Sequence, residues 1–176
     1  MDYLNSFSIF LEQSQQQSSM NTSASPQTVQ QFETALAHQE RISGFKIPPN
    51  YREFLFRWDG GFVEDEVAGA YVTFLCIGGQ AGDGEGLMEY NAAESILMNH
   101  EIETYFSFES LVLFAMDEGG NFWAFDPGDA RADGEMPVRY CDCETGDIYA
   151  QAEDFSAFVL ALSNHELNYR GLEEPL

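Results

Sequence analysis

Apolar residues recur along this chain with two periods. Leu4, Phe7 and Leu11 fall at i, i+3 and i+7, the spacing of one face of a short helix. Val29, Phe32 and Leu36 repeat the stripe after Ser25-Pro26, a capping residue followed by a proline suited to a first helical turn, and predict a helix from about Pro26 to Gln39. Another helix opens at Ile47-Pro48-Pro49, carries Tyr51, Phe54, Leu55 and Trp58 on one face, and is stopped by Asp59-Gly60-Gly61. The period then shortens. Residues 71–77 read as a strand, the glycine-rich 78–86 as a loop, and Leu87 to about Asn99 as a helix. Residues 111–116 and 122–125 are unbroken apolar runs, as in strands covered on both faces at the centre of a sheet. Between them Asp117-Glu118-Gly119-Gly120-Asn121 has the residues of a tight antiparallel turn. A second hairpin pairs 138–143 with 148–151 about Glu144-Thr145-Gly146-Asp147. Glu153 and Asp154 then place negative charge before a helix that buries Phe155, Phe158, Val159 and Leu162.

Helices, then strands, then a helix make an α+β domain with a mostly antiparallel sheet flanked by helices. Residues 1–25 form a short helix that docks on the domain and a polar linker, 26–163 the domain itself, and 164–176 a tail. With 44% hydrophobic and 14% aromatic residues in a chain of 176, there is apolar material for one real core. That content separates the chain from acidic disordered tails. Three cysteines, Cys76, Cys141 and Cys143, do not make a disulfide framework; they read as reduced structural thiols and, with a start that lacks the basic and apolar regions of a signal, point to the cytoplasm. No window approaches a membrane span.

Charge changes the picture most. Seven basic side chains stand against 30 acidic ones, a formal charge of −23, and between Arg57 and Arg131 there are fifteen Asp and Glu residues and no Lys or Arg. Such a field repels phosphates and draws in basic protein surfaces, so nucleic acid and anionic membrane are not expected as partners. Adaptation to salt and simple solubility are the competing explanations, and Lys46 is the single lysine. The loop at 78–86 has the glycines of a phosphate cradle, but it lacks the lysine and offers Asp83 and Glu85 instead. His38, His100 and His165 are scattered and neither HExxH nor GxSxG occurs, so the chain reads as no enzyme, with no cofactor. Asp126, Asp129, Asp133 and Glu135 could be imagined around calcium, but their spacing is not that of an EF-hand loop.

Four blocks in order carry a family resemblance: IPPNYREFLFRWDGG, AYVTFLCIGG, LVLFAMDEGGNFWAFDP and EDFSAFVLAL. Together they resemble the SMI1/KNR4 family of the SUKH superfamily, over about Pro26 to Ser163. The resemblance implies an α+β sheet flanked by helices, and Tyr51, Trp58, Gly60, Gly61, Gly119, Gly120, Trp123 and Asp126 as determinants of that fold. Bacterial members are mostly immunity proteins that neutralise toxins, often nucleases or deaminases; fungal relatives are regulatory scaffolds of cell-wall synthesis, and a more distant bacterial relative meets the translocation channel. Immunity and charge agree, because a nuclease cleft that grips phosphate is basic. The expected partner is therefore a basic toxin domain, bound by acidic clusters at Glu64-Asp65-Glu66, Asp83/Glu85 and Asp117-Glu118, with Phe62, Phe106 or Phe108 as apolar anchors. A non-catalytic adaptor of cell-wall synthesis or secretion is the alternative, which the short extensions of this chain disfavour.

Overall fold

A computed structural model of the chain describes residues 2–14, 18–37, 42–78, 108, 110–169, 172 and 175–176. The helix expected at 87–99, together with Asp83, Glu85 and Phe106, lies outside the described residues. Among those described, four α-helices, α1 (Tyr3–Gln13), α2 (Pro26–Ala37), α3 (Pro49–Leu55) and α4 (Phe155–Ser163), accompany a seven-stranded sheet. Its strands are β1 (Ser19–Met20), β2 (Gly61–Asp65), β3 (Ala70–Phe74), β4 (Val112–Met116), β5 (Phe122–Phe125), β6 (Val138–Cys141) and β7 (Ile148–Ala152). They pair in chain order and every pair is antiparallel. The α+β architecture is thus a meander with helices packed against it.

Three of these helices, α1, α3 and α4, gather on one face through aromatic rings. Phe155 of α4 lies 4.9 Å from Tyr51 and 5.1 Å from Phe54 on α3, and 5.5 Å from Phe114 on β4, centroid to centroid. Phe7 of α1 meets Phe54 at 5.5 Å and Phe74 on β3 at 5.9 Å. A register shift between Leu113 and Ala115 leaves Phe114 as the extra residue of a bulge, so its ring joins this same face and stacks on Phe125 at 4.4 Å. Edge-to-face and offset rings at these separations add specific geometry to a large apolar burial.

β2 has no counterpart among the elements read from the sequence. Its burial alternates, with Val63 and Asp65 inward and Glu64 half-exposed between them, but the inward aspartate hides the apolar alternation that would mark a strand. α3 also ends sooner than its stripe suggests. The amides of Arg57 and Trp58 both return to the Phe54 carbonyl at 2.8 Å, and Asp59 then accepts from the Ile77 and Gly78 amides at 2.7 and 3.1 Å. Gly61, at φ +122°, is where the backbone comes closest: a Cβ there would sit 2.4 Å from the Ser19 carbonyl oxygen and 2.6 Å from the Met20 Cα.

Both flanking segments join the fold. α1 buries Tyr3, Leu4, Phe7 and Phe10 in the common core, and the polar stretch after it supplies β1, whose Ser19 and Met20 pair with Phe62 and Gly61. Beyond α4, Leu167 and Tyr169 are buried, and the Leu176 amide donates to the Ile148 carbonyl at 2.8 Å.

Candidate protein-binding site

Strand parity brings the acidic turns together. In an antiparallel meander, alternate connections fall at the same end of the sheet, so the β2–β3 turn (66–69), the β4–β5 turn (117–121) and the β6–β7 turn (142–147) share one end. None of the three contains a lysine or arginine.

One aspartate anchors each turn. Asp65, 2% exposed, accepts at Oδ1 from the Val67 and Ala68 amides at 3.0 and 3.2 Å, and its Oδ1 also lies 2.7 Å from His165 Nδ1. Asp117, 5% exposed, accepts at Oδ1 from the Gly119 and Asn121 amides and at Oδ2 from Asn121 Nδ2 and the Tyr140 hydroxyl, the last at 2.7 Å. Asp142 takes the Glu144 and Thr145 amides at 2.8 and 3.1 Å. These are the local bonds by which aspartate fixes a turn. Asp65 and Asp117, expected as exposed contacts, are buried and hold the backbone of their own turns. The charge that meets solvent comes from Glu66, Glu118 and Glu144, with Glu64 half-buried beside them.

Two depressions lie among these turns. One, of about 350 Å³, is lined by Asp117, Glu118, Asn121, Tyr140, Asp142, Tyr149, Tyr169 and Leu172. Burial, then the bond to Asp117, pushes the Tyr140 phenol above its ordinary range, so it stays a neutral donor at any physiological pH. The other, of about 260 Å³, is lined by Phe10, Gln13, Ser14, Glu64, Asp65, Glu66, Val67 and His165. Of the apolar anchors expected, Phe62 is half-buried and stacks on Tyr71 at 5.9 Å, whereas Phe108 is 4% exposed and belongs to the core, where no partner reaches it.

Sequence reasoning read the third turn as a hairpin but left it out of the candidate site, and it missed both depressions. Parity could have placed Asp142, Glu144 and Asp147 beside the other clusters once the hairpins were counted. Nothing in the sequence pairs Asp65 with His165, which stand 100 residues apart.

The opposite end of the sheet is where carboxylates meet arginines, two to each of Arg139 and Arg131. The β5–β6 connection holds Arg139 between Asp126 and Asp129, at 3.1 and 2.6 Å, and Arg131 between Asp154 and Asp133, at 3.0 and 3.3 Å; Arg52 pairs with Glu33 on α2. Burial alone would raise Asp154, but bonds from Ser156, the Ala157 amide and Arg131 outweigh it and hold the carboxyl low. Of the four carboxylates imagined around calcium, Asp126, Asp129 and Asp133 are thus engaged by arginines, and among the described residues no group of three or more His, Cys, Asp or Glu stands where it could hold a metal ion.

Glu135, the last of that set, is buried and accepts from the Asn50 amide at 2.8 Å. Burial pushes its carboxyl up, with Asp154 and Asp133 adding to the push and the Asn50 bond opposing it. A carboxyl raised in the fold favours the protonated form, so its contribution is complete below the ordinary glutamate range and is lost as pH rises through the folded value. Glu135→Gln keeps an acceptor for Asn50 and is expected to match or exceed the parent's Tm at neutral pH, with the advantage gone below about pH 4. Thermal melts across that range check it.

The three cysteines are thiols outside any disulfide, with Cys76 and Cys141 buried and Cys143 exposed. Although the residue has exposed surface, its thiol is partly desolvated, and this, with Asp142 and Asp117 nearby, pushes Cys143 up to about 11. Its alkylation by iodoacetamide at mildly alkaline pH is expected to run more than tenfold slower than that of a free thiol, since the thiolate is the nucleophile; intact-mass kinetics read this directly.

The model of the SMI1/KNR4 family (SUKH-1) matches residues 23–161, most of the chain. This chain belongs to the SMI1/KNR4 family. No curated protein matches it significantly. The SMI1/KNR4 span includes all three acidic turns and their strands; α1, β1, His165 and Tyr169 fall outside it. Among the described residues no helix is long and apolar enough to cross a membrane.

Proposed function

We propose that this SMI1/KNR4 protein is a cytoplasmic immunity protein that binds a basic, nuclease-type toxin domain through the acidic end of its sheet and occludes the toxin's active site. The observation that carries this reading is the segregation of charge. Arg52, Arg131 and Arg139, away from the acidic turns, are held by carboxylates, while three turns at the near end present carboxylates with no basic residue among them. A phosphate-gripping cleft must be basic, so this end would be steered to it and would exclude its substrate. Inhibition needs no chemistry from the chain. Affinity would come from what becomes buried at the centre of the contact, and the rim would set the association rate.

The test begins with the purified protein as bait in lysate of its source cells, with low-salt and high-salt washes. The expected result is one large polypeptide retained at 1:1 through a basic C-terminal domain. That domain, expressed alone, is expected to arrest growth, and co-expression of this chain is expected to restore it. Retention of cell-envelope or secretion components, without toxicity and rescue, would replace the immunity reading with that of an adaptor.

A further inference from the structure

We propose that the depression between the β2–β3 turn and the end of α1 receives a single arginine side chain of the partner, with Asp65 as its carboxylate anchor. This rests on the protein-binding reading above and names what part of that surface takes.

The observation is an unfinished carboxylate. The Asp65 side chain is 1% exposed, and its hydrogen bonds are all on one oxygen: the Val67 and Ala68 amides and His165 meet Oδ1. Oδ2 is buried and has no hydrogen-bond partner. A buried charged oxygen without a donor is costly, and native proteins supply one as a rule. Asp65 is also part of the lining of the 260 Å³ depression, whose remaining polar rim includes Glu64 and Glu66. A cationic donor entering there would complete Oδ2 and be held by the carboxylates at the rim.

The lining selects among donors. Phe10 and Val67 give it apolar and aromatic walls, and the Phe10 ring lies 5.5 Å from that of His165. A guanidinium is planar, weakly hydrated and suited to both aromatic faces and carboxylates, whereas an ammonium keeps its water more tightly. A metal ion is disfavoured, since no cluster of three or more ligating side chains exists among the described residues. Nor is this a hydrolytic site. The Asp65–His165 pair has the form of a base and its orienter, but the hydroxyl at hand, Ser14, donates to the Phe10 carbonyl at 3.0 Å and offers no nucleophile. His165 is at φ +60°, the one non-glycine residue with positive φ among those described, and its side chain is 36% exposed. It is a wall held in place by the same aspartate and open to the solvent from which a ligand would come.

The experiment titrates the ¹⁵N-labelled full chain with N-acetyl-arginine amide, and separately with N-acetyl-lysine amide, at low ionic strength. Backbone amide shifts are the readout. The expected result is a saturable shift centred on Val67 and Ala68, at least about fivefold tighter for the arginine probe. Asp65→Asn keeps an oxygen for those amides but puts an NH₂ donor at the orphan position, and is expected to weaken binding by more than about tenfold. Glu153→Gln, which removes one exposed charge away from the acidic turns, is expected to leave it within about twofold. Equal affinity for both probes, shifts spread over all three turns, or unchanged binding in Asp65→Asn would overturn the proposal in favour of diffuse attraction. If Asp65→Asn does not fold, Glu64→Gln/Glu66→Gln takes its place, with about threefold weakening expected and no change counting against the subsite. The titration needs no toxin, so its failure leaves the immunity reading standing, and failure of growth rescue leaves the titration standing.

Discussion

Asp117→Ala is expected to lower the unfolding free energy by about 3 kcal/mol, with the urea midpoint falling and the m-value unchanged. The carboxylate it removes is buried and satisfies four donors: two amides of the β4–β5 turn, the Asn121 side chain and the Tyr140 hydroxyl. Truncation leaves the Tyr140 hydroxyl without that partner in a buried place, and it frees Gly119 and Asn121 to leave the turn. The same end would lose the floor of its larger depression, which Asp117 and Tyr140 both line. Asp117→Asn separates charge from shape. Its oxygen can still accept the two turn amides, but its NH₂ then faces the Asn121 side chain and Tyr140, so a loss of about 1–2 kcal/mol is expected. Glu118→Gln, one residue on and exposed, should lie within about 0.5 kcal/mol of the parent. A value near zero for Asp117→Ala would mean that the hairpin is held by strand packing alone and that Asp117 is free to act as a contact residue.

That contrast between neighbours marks where the sequence could be read and where it could not. Strands with unbroken apolar runs, such as Val112–Met116 and Phe122–Phe125, were legible because burial on both faces leaves no alternative pattern. α2 and α4 were legible from caps and stripes, and Asp154 does accept the Ala157 amide at 3.0 Å as the cap of α4. β2 was not, because its inward positions are Val63 and Asp65, and an inward acid looks like solvent-facing charge. For the same reason Glu64-Asp65-Glu66 and Asp117-Glu118 read as uniform clusters. In the folded chain each divides into a buried aspartate that serves backbone amides and glutamates that meet solvent. The short reach of aspartate suits it to its own turn, and glutamate's extra methylene carries its charge away. His165 reaches Asp65 only because α4 returns the chain past the β2–β3 turn, a tertiary fact with no local signal. The segment Ser19–Met20 was read as linker because composition reports what a stretch can bury, whereas this one contributes backbone hydrogen bonds to a sheet edge.

Placement of charge, at constant net charge, is expected to decide how fast a basic partner is captured. Glu66→Gln/Glu118→Gln/Glu144→Gln removes three exposed carboxylates from the acidic turns, one from each. Asp2→Asn/Glu53→Gln/Glu153→Gln removes three exposed carboxylates from outside those turns, and asparagine retains the capping oxygen that Asp2 gives to the Leu4 amide. Both variants move the formal charge from −23 to −20, since each loses three negative charges. A steering field acts through the charges nearest the contact, so the turn variant is expected to associate with the basic toxin domain about 10–100-fold more slowly at low salt. The gap should close as salt shortens the screening length to about 3 Å at 1 M. Dissociation should change little for either variant, because rim charges act before docking and buried groups after it. The control variant is expected to stay within about threefold of the parent's association rate. Stopped-flow association across a salt series resolves these cases. Equal slowing by both variants would assign the effect to bulk charge, the property that solubility or salt adaptation also requires, and would remove the acidic end of the sheet as the binding face. Slowing by the turn variant alone would mean that the meander's parity, which puts three turns at one end, is what converts an acidic composition into a directed surface.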